Sequence, residues 1–369
     1  MEEINKRFFN NNNISISIDG LSEEPLNRIS NYLKLDSEAS NNCRVRVAVK
    51  QLDVFKFNKV TREGDFIEVV KTFFELSHKK YLFEYKTFFI NENDSSYYIE
   101  VEHNHMCSLI TLYTNKSSHL NKWPLRIIRE CIYRSELYLG GVSLHAAAIA
   151  TDTNDGIVLV GKSGSGKTTL CSALLLNSEW NFICNDRAII RSDIKTFTGL
   201  PLPIRAGLGF IRDNNIIYNR FCNIHEFERA SNESLTKLSA IDQEFDWSFG
   251  ASQKIELAPG EFVSMLNASI STEANFSLMI VPSISDESEI SITGLSELEI
   301  EKYLIDELRC PDDPIWPNDW LFELSYDSDV YSTIKELSKS IRGVKIQFPM
   351  KWNDDTCKKL RHLVKKSIK

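Results

Sequence analysis

Ile157-Val-Leu-Val-Gly-Lys-Ser-Gly-Ser-Gly-Lys-Thr-Thr-Leu170 is the stretch whose reading decides the fold. Gly161, Gly166, Lys167 and Thr168 fill every fixed position of G-x-x-x-x-G-K-[ST]. The apolar run Ile157–Val160 leads straight into the glycines, and Leu170 to Leu176 follows with helical character. Strand, phosphate loop and helix is the order the chemistry requires. Glycines let backbone N–H groups converge on phosphate oxygens, and a helix N-terminus adds a favourable dipole. Residues Gly161, Ser163, Gly164, Ser165, Gly166, Lys167, Thr168 and Thr169 are therefore expected to hold a nucleotide. Lys167 would reach the β- and γ-phosphates, and the Thr168 hydroxyl would hold Mg²⁺.

Working outward, Val142–Ala150 is an apolar strand carrying His145, and Thr151-Asp-Thr-Asn-Asp-Gly156 is a turn into the loop strand. Phe182–Cys184 and Ala188–Arg191 read as strands flanking Asn185-Asp186. Phe276–Val281 and Glu289–Ile292 are further strands. Leu298–Leu308, Val330–Ile341 and Thr356–Lys366 are amphipathic helices, and the basic end from Lys358 is a solvated helix face. Upstream, Pro124 is expected to start a helix that Gly140-Gly141 ends.

Residues 8–14 read as a flexible or turn segment. Ser22-Glu-Glu-Pro begins a helix with Leu26, Ile29 and Leu33 on one face. From Cys43 to Thr114 the pattern favours strands: Val45, Val47 and Val49 alternate, and Tyr81–Asn91 and Tyr97–Tyr113 are rich in aromatic and β-branched residues. The expected organisation is an antiparallel α+β module over 1–120 that binds substrate or a partner. An α/β core over 121–300 and a helical segment over 301–369 follow, the last closing over the core or making a homo-oligomer contact.

The chain has 369 residues, 42% of them hydrophobic, with a net charge of −8 and eight cysteines. The acidic balance argues against a broad nucleic-acid surface. No cysteines show C-x-x-C spacing, no signal peptide opens the chain, and no apolar run reaches the roughly 18 residues of a membrane span. A reducing cytoplasm is the expected compartment.

Asp186 follows Lys167 by 19 residues, behind the apolar run Phe182-Ile-Cys. One helix and its return strand would bring that carboxylate back to the phosphates, to hold Mg²⁺ or accept a proton from an attacking hydroxyl. The loop is spelled as in many ABC-transporter ATPases, but the chain has no Leu-Ser-Gly-Gly-Gln signature, and the acid comes far too soon. It also has no Asn-Lys-x-Asp guanine reader.

The stretch from Ser143-Leu-His-Ala-Ala-Ala through the loop to Phe-Ile-Cys-Asn-Asp-Arg187 resembles the HPr kinase/phosphorylase-like family, whose core is shared with phosphoenolpyruvate carboxykinases. The match covers roughly residues 140–212. The end of the chain is similar to smaller members beside modified-peptide gene clusters, such as lasso-peptide kinases. The resemblance implies an ATP- and Mg²⁺-dependent kinase acting on a hydroxyl, a serine of a peptide or small protein. Asp186 matches the second acid of the family's pair and His145 the histidine beside it. Asn185 stands where the family keeps its first acid, the general base, so Asp186 or His145 must take that part. Pro203-Ile-Arg-Ala-Gly matches the family's Glu-Ile-Arg-Gly loosely. Arg205 is then a clamp on transferred phosphate or on an anionic substrate, or an ordinary surface arginine. Two alternatives stay open: a kinase of small-molecule hydroxyls, and a nucleotide-binding regulator without transferase activity.

Other residues read as packing or surface. His103, His105 and Cys107 align on one strand face without a fourth metal ligand. Trp316, Trp320 and Trp352 are expected in packing, and Glu256, Glu261 and the acids from Asp286 to Glu289 on a solvated surface.

Overall fold

A computed structural model describes residues 6–11, 14–33, 44–71, 77–91, 93–103, 107–200, 202–223, 254–286, 289–309 and 329–368. Their contacts divide them into two units. One ends at Tyr138, and the other takes Leu139–Arg309 together with 329–368.

The first unit runs β1 (Lys6–Asn11), β2 (Ile14–Asp19), α1 (Glu23–Leu33), β3 (Val45–Gln51), α2 (Val54–Glu63), β4 (Asp65–Lys71), β5 (Ser77–Phe83), β6 (Lys86–Asn91), β7 (Tyr97–His103), β8 (Ser108–Thr114) and α3 (Ser117–Tyr138). Its eight strands form one sheet in the order β1-β2-β3-β8-β7-β6-β5-β4. Leu26, Ile29 and Leu33 of α1 are buried as their spacing requires, as are Val45, Val47 and Val49 of β3.

Four expectations change here. Residues 8–14 are not simply a turn, because β1 and β2 pair antiparallel on either side of residues 12–13. The sheet is mixed rather than antiparallel, since β3 runs parallel to both β2 and β8. A helix, α2, interrupts the strand-rich region. Its Val, Phe and Thr content imitates a strand, but the Asp53 side chain accepts a hydrogen bond from Lys56 N and fixes a helix N-terminus. Finally, α3 begins at Ser117 and carries Pro124 inside it.

One charge cluster ties α2 to the sheet. Glu100 on β7 is 3% exposed and pairs with Lys56 of α2 and, at 3.0 Å, with Lys86 of β6. Burial by itself would push the Glu100 carboxyl up. Hydrogen bonds and charge from the two lysines outweigh it and hold its pKa below the ordinary carboxylate value.

The second unit runs β9 (Val142–Ala150), β10 (Asp155–Val160), α4 (Lys167–Leu175), β11 (Asn181–Cys184), β12 (Arg187–Ile190), β13 (Thr196–Gly199), β14 (Ile204–Gly207), α5 (Leu208–Asp213), α6 (Asn215–Asn223), β15 (Lys254–Leu257), α7 (Pro259–Leu266), β16 (Ser269–Ile270), β17 (Glu273–Ser285), β18 (Ser291–Gly294), α8 (Glu297–Asp306), α9 (Asp329–Ser340), β19 (Arg342–Pro349) and α10 (Asp354–Ile368). Nine strands make one mixed sheet in which β10 lies between β9 and β17, antiparallel to the first and parallel to the second. β19 extends the parallel part beside β17.

Alternate residues of the central strands feed two cores. Ala147, Ile149, Ile157 and Leu159 pack with α4, α7 and α10 on one face. Ala146, Ala148, Val158 and Val160 pack with α8 and α9 on the other. The fold of this unit is thus mixed α/β in three layers. The last helices belong to those layers: Arg361 of α10 donates to the carbonyls of Ala173, Leu174 and Leu176, which end α4. Glu261, expected on a solvated surface, is instead 6% exposed and accepts from Ala258 N to cap α7. No described helix is long and apolar enough to cross a membrane.

Glu100→Gln is expected to lower stability at neutral pH by about 1.5–3 kcal/mol, the range for a hydrogen bond to a charged group. Because the folded pKa is depressed, this stabilisation is complete above the unfolded carboxyl value and is lost as pH falls through the folded one. Urea titrations of parent and variant at several pH values should show the two curves converging in acid.

Candidate functional site

The phosphate loop has the backbone its glycines allow. Gly161, Gly164 and Gly166 have φ of 146°, 86° and 99°, in the region that favours glycine. α4 starts at Lys167 with Gly166 as its cap, so the free N–H groups of the first turn face the loop. Two of the three positions are also sterically confined. A Cβ on Gly166 would lie 2.7 Å from Ile284 Cγ1, and one on Gly161 would lie 2.9 Å from Ser165 Oγ. Gly164 has open space around it, and the loop tip Lys162–Gly164 is exposed.

Lys167 is 8% exposed, and its ammonium donates to the carbonyl oxygens of Gly161 and, at 3.3 Å, of Lys162. The lysine therefore folds over the loop that it opens. Ser165 Oγ is buried without a hydrogen-bond partner among the described residues. A cationic lid, a glycine cradle and a spare hydroxyl fit a polyphosphate.

The position of the acid follows from β9, whose two edges both change neighbours at the same place. Along one edge, β10 pairs with β9 as far as Val160 opposite Ala146 and then leaves as the phosphate loop. Beyond that point residues 307–309 take over: His145 N donates to the Glu307 carbonyl (2.7 Å), Leu144 bridges Leu308, and Arg309 N donates to the Ser143 carbonyl (2.9 Å). Along the other edge, β11 pairs with Ala148 to Ala150 and β12 with Val142 to His145. Asn185-Asp186 is the hand-over between them, and Ala146 N donates to the Asp186 carbonyl at 3.1 Å.

This junction brings the side chains together. Thr168 Oγ1 donates to Asn185 Oδ1 at 3.1 Å, which joins the first turn of α4 to the hand-over. His145 Nε2 lies 3.4 Å from Asp186 Oδ1, and Nδ1 lies 2.7 Å from Glu307 Oε2. Asp186 is nearly half exposed, whereas the Glu307 side chain is only 5% exposed. Arg309 Nη2 is 3.2 Å from the same Nδ1. Behind the site, burial holds the Cys171 and Cys184 thiols well above their ordinary value, so both stay protonated.

Glu307 is the functional candidate that sequence reading missed. It comes 121 residues after Asp186, at the end of an ordinary amphipathic helix, with no motif around it. No signal in the sequence points from it to His145, because the bridge that joins them is a long-range backbone contact.

The structure does not gather every expected residue. Arg205 lies on β14, in the separate two-stranded sheet with β15, and its Nε donates to Glu256 Oε1 at 2.9 Å. Its side chain is 60% exposed, and no recorded interaction joins it to the phosphate loop among the described residues. The oxygen beside Thr168 comes from Asn185 rather than Asp186. No group of three His, Cys, Asp or Glu suited to a metal occurs among the described residues. His105, Trp316 and Trp320, and the side chain of His103, lie outside the described residues. Trp352 is buried against Phe210, with ring centroids 6.1 Å apart. No protein-family model matches the chain, and no curated protein does either.

Gly164→Ala should cost about 1 kcal/mol, the penalty for a side chain at positive φ. Gly166→Ala adds a clash with Ile284 and should cost about 2–4 kcal/mol. Thermal unfolding of the two variants side by side measures the difference, and equal midpoints would contradict the crowding at Gly166.

Proposed function

We propose that the second unit is a phosphate-loop kinase that transfers the γ-phosphate of ATP to a hydroxyl group. The observation that carries this reading is the convergence of Lys167, Thr168, Asn185, Asp186 and His145 where β10 gives way to the loop. Phosphoryl transfer asks the protein mainly for positioning and charge neutralisation. A phosphate grip with a carboxylate and an imidazole on its flank meets that requirement. The resemblance to HPr kinase-like proteins supports a serine hydroxyl of a peptide or small protein as the acceptor.

The residues divide the work as follows. The loop N–H groups and the Lys167 ammonium bind the phosphates, which requires Lys167 to exchange its carbonyl partners for phosphate oxygens. Thr168 Oγ1 and Asn185 Oδ1 are a neutral oxygen pair that would hold Mg²⁺ together with the nucleotide. Bound there, the ion would neutralise charge on the transferred group. Asp186 is thereby left for the proton. The acceptor oxygen forms its bond to the γ-phosphorus as the bond to the β-phosphate oxygen breaks. ADP leaves with that electron pair, and the hydroxyl proton passes to the Asp186 carboxylate.

A second reading is favoured by one observation. Thr168 meets an amide where a carboxylate would bind a metal more strongly, as suits a nucleotide-binding regulator without transfer. Two variants separate the readings. In a kinase, Lys167→Ala loses nucleotide affinity at least tenfold by calorimetry. Asp186→Asn keeps that affinity but loses transfer of radiolabelled phosphate to serine peptides by about 10²–10⁴-fold. A regulator binds ATP but labels no acceptor. Transfer by Lys167→Ala at the parent rate would refute the kinase assignment.

A further inference from the structure

We infer that Glu307 is the positioning residue of this site: it fixes the His145 ring with its proton on Nδ1 and aims Nε2 at Asp186. The inference rests on the kinase reading for its catalytic consequence but not for its geometry. A carboxylate that is 95% removed from solvent needs a donor, because an unpaired buried charge is far costlier than any single neutral contact. Among the described residues the donor recorded for the Glu307 side chain is His145 Nδ1, at 2.7 Å. Only a protonated Nδ1 can serve it.

Arg309 Nη2 lies 3.2 Å from the same nitrogen and, as a guanidinium, can only donate. If Nδ1 accepted from Arg309, the ring would face the Glu307 carboxylate without a hydrogen to offer. The shorter distance and the buried charge decide for Nδ1–H···Glu307. Arg309 is then a flanking positive charge on the same three-residue segment.

With Nδ1 committed, Nε2 is the one ring nitrogen free to exchange a proton, and it faces Asp186 Oδ1 at 3.4 Å. That spacing is long for a hydrogen bond, as is common in catalytic pairs before substrate binds. When Asp186 takes the proton of the acceptor hydroxyl, that proton sits in the gap between Oδ1 and Nε2. No further proton source is needed: Asp186 and His145 together hold the one released, and Glu307 opposes the charge that develops on the ring.

Backbone pairing makes the aim rigid. The Glu307 carbonyl accepts from His145 N, so the carboxylate and the ring it holds sit opposite one another on hydrogen-bonded segments. Rotation of the ring would break the Nδ1 contact. Translation would have to break the bridge between Leu144 and Leu308.

The test is nitrogen-15 NMR of the full chain with labelled histidine, the His145 signals being assigned by their loss in His145→Asn. The parent should show a proton bonded to Nδ1, whatever the state of Nε2. An unprotonated Nδ1 in the parent would overturn the proposal without any variant. In Glu307→Gln the amide can donate or accept, so the Nδ1 proton signal should weaken or move. Transfer should fall by at least about tenfold in kcat, with nucleotide affinity within about twofold of the parent. An Nδ1 signal unchanged in a folded Glu307→Gln would overturn the proposal as well. A fixed Nδ1–H in a parent that transfers phosphate to no acceptor would instead uphold Glu307 as the positioning residue and overturn the kinase reading.

Discussion

Everything at the candidate site hangs on the backbone of β9 at His145 and Ala146. A strand has two edges, each able to satisfy one row of N–H and C=O groups, and buried groups must be satisfied. β9 satisfies both rows with changing partners, and both changes fall between His145 and Ala148. β10 leaves on one side to become the phosphate loop, and β11 hands over to β12 on the other. An open α/β sheet offers a ligand crevice where strand order switches. Here the switch is made within one strand and is closed by residues 307–309. The phosphate grip, the acid and the imidazole are neighbours because one strand runs out of partners and takes new ones.

The run Ala146-Ala147-Ala148 fits that demand. All three residues are fully buried, Ala147 toward α4 and its two neighbours toward the opposite core. A larger side chain at 147 would push α4 away from the sheet, and with it the Thr168 hydroxyl that reaches Asn185. Ala147 thus sets the distance across which the first turn of α4 meets the strand hand-over, while Ala146 and Ala148 keep the opposite core close. Packing and chemistry are linked through Cβ atoms rather than through any functional group.

Much of this was legible in the sequence because it is local. The loop motif, the turn at 151–156 and the 19-residue return to Asp186 all lie in one continuous stretch, and each carries its own chemistry in its letters. The strands and helices expected in the second unit fell near their places because their apolar periods are strong, whereas the short elements from β13 to β16, with α5 to α7 among them, were not anticipated. What was not legible depended on distant partners. The parallel run of β3 between β2 and β8 is set by strand pairing, which periodicity does not encode. α2 reads as a strand until Asp53 is seen to cap it. Arg205 matched a motif loosely, yet its neighbour is Glu256 on the adjacent strand. Glu307 had no local signal at all, since its meaning comes from a backbone bridge to a strand some 160 residues earlier.

The three-residue bridge at 307–309 also has a consequence in time. A chain made from its N-terminus completes the loop hairpin, α4 and Asp186 while Glu307 is still about 120 residues away. At roughly 5–20 residues per second, that gap is on the order of 6–24 s. Through that interval the edge of β9 beyond Ala146 has no final partner, and His145 has nothing to hold its ring. The loop itself is made early, but its surroundings are not: β17, which pairs with β10, Ile284, which packs against Gly166, and Glu307, which holds the His145 ring, all emerge late. The letters of the motif are thus made first and the long-range contacts that shape it last.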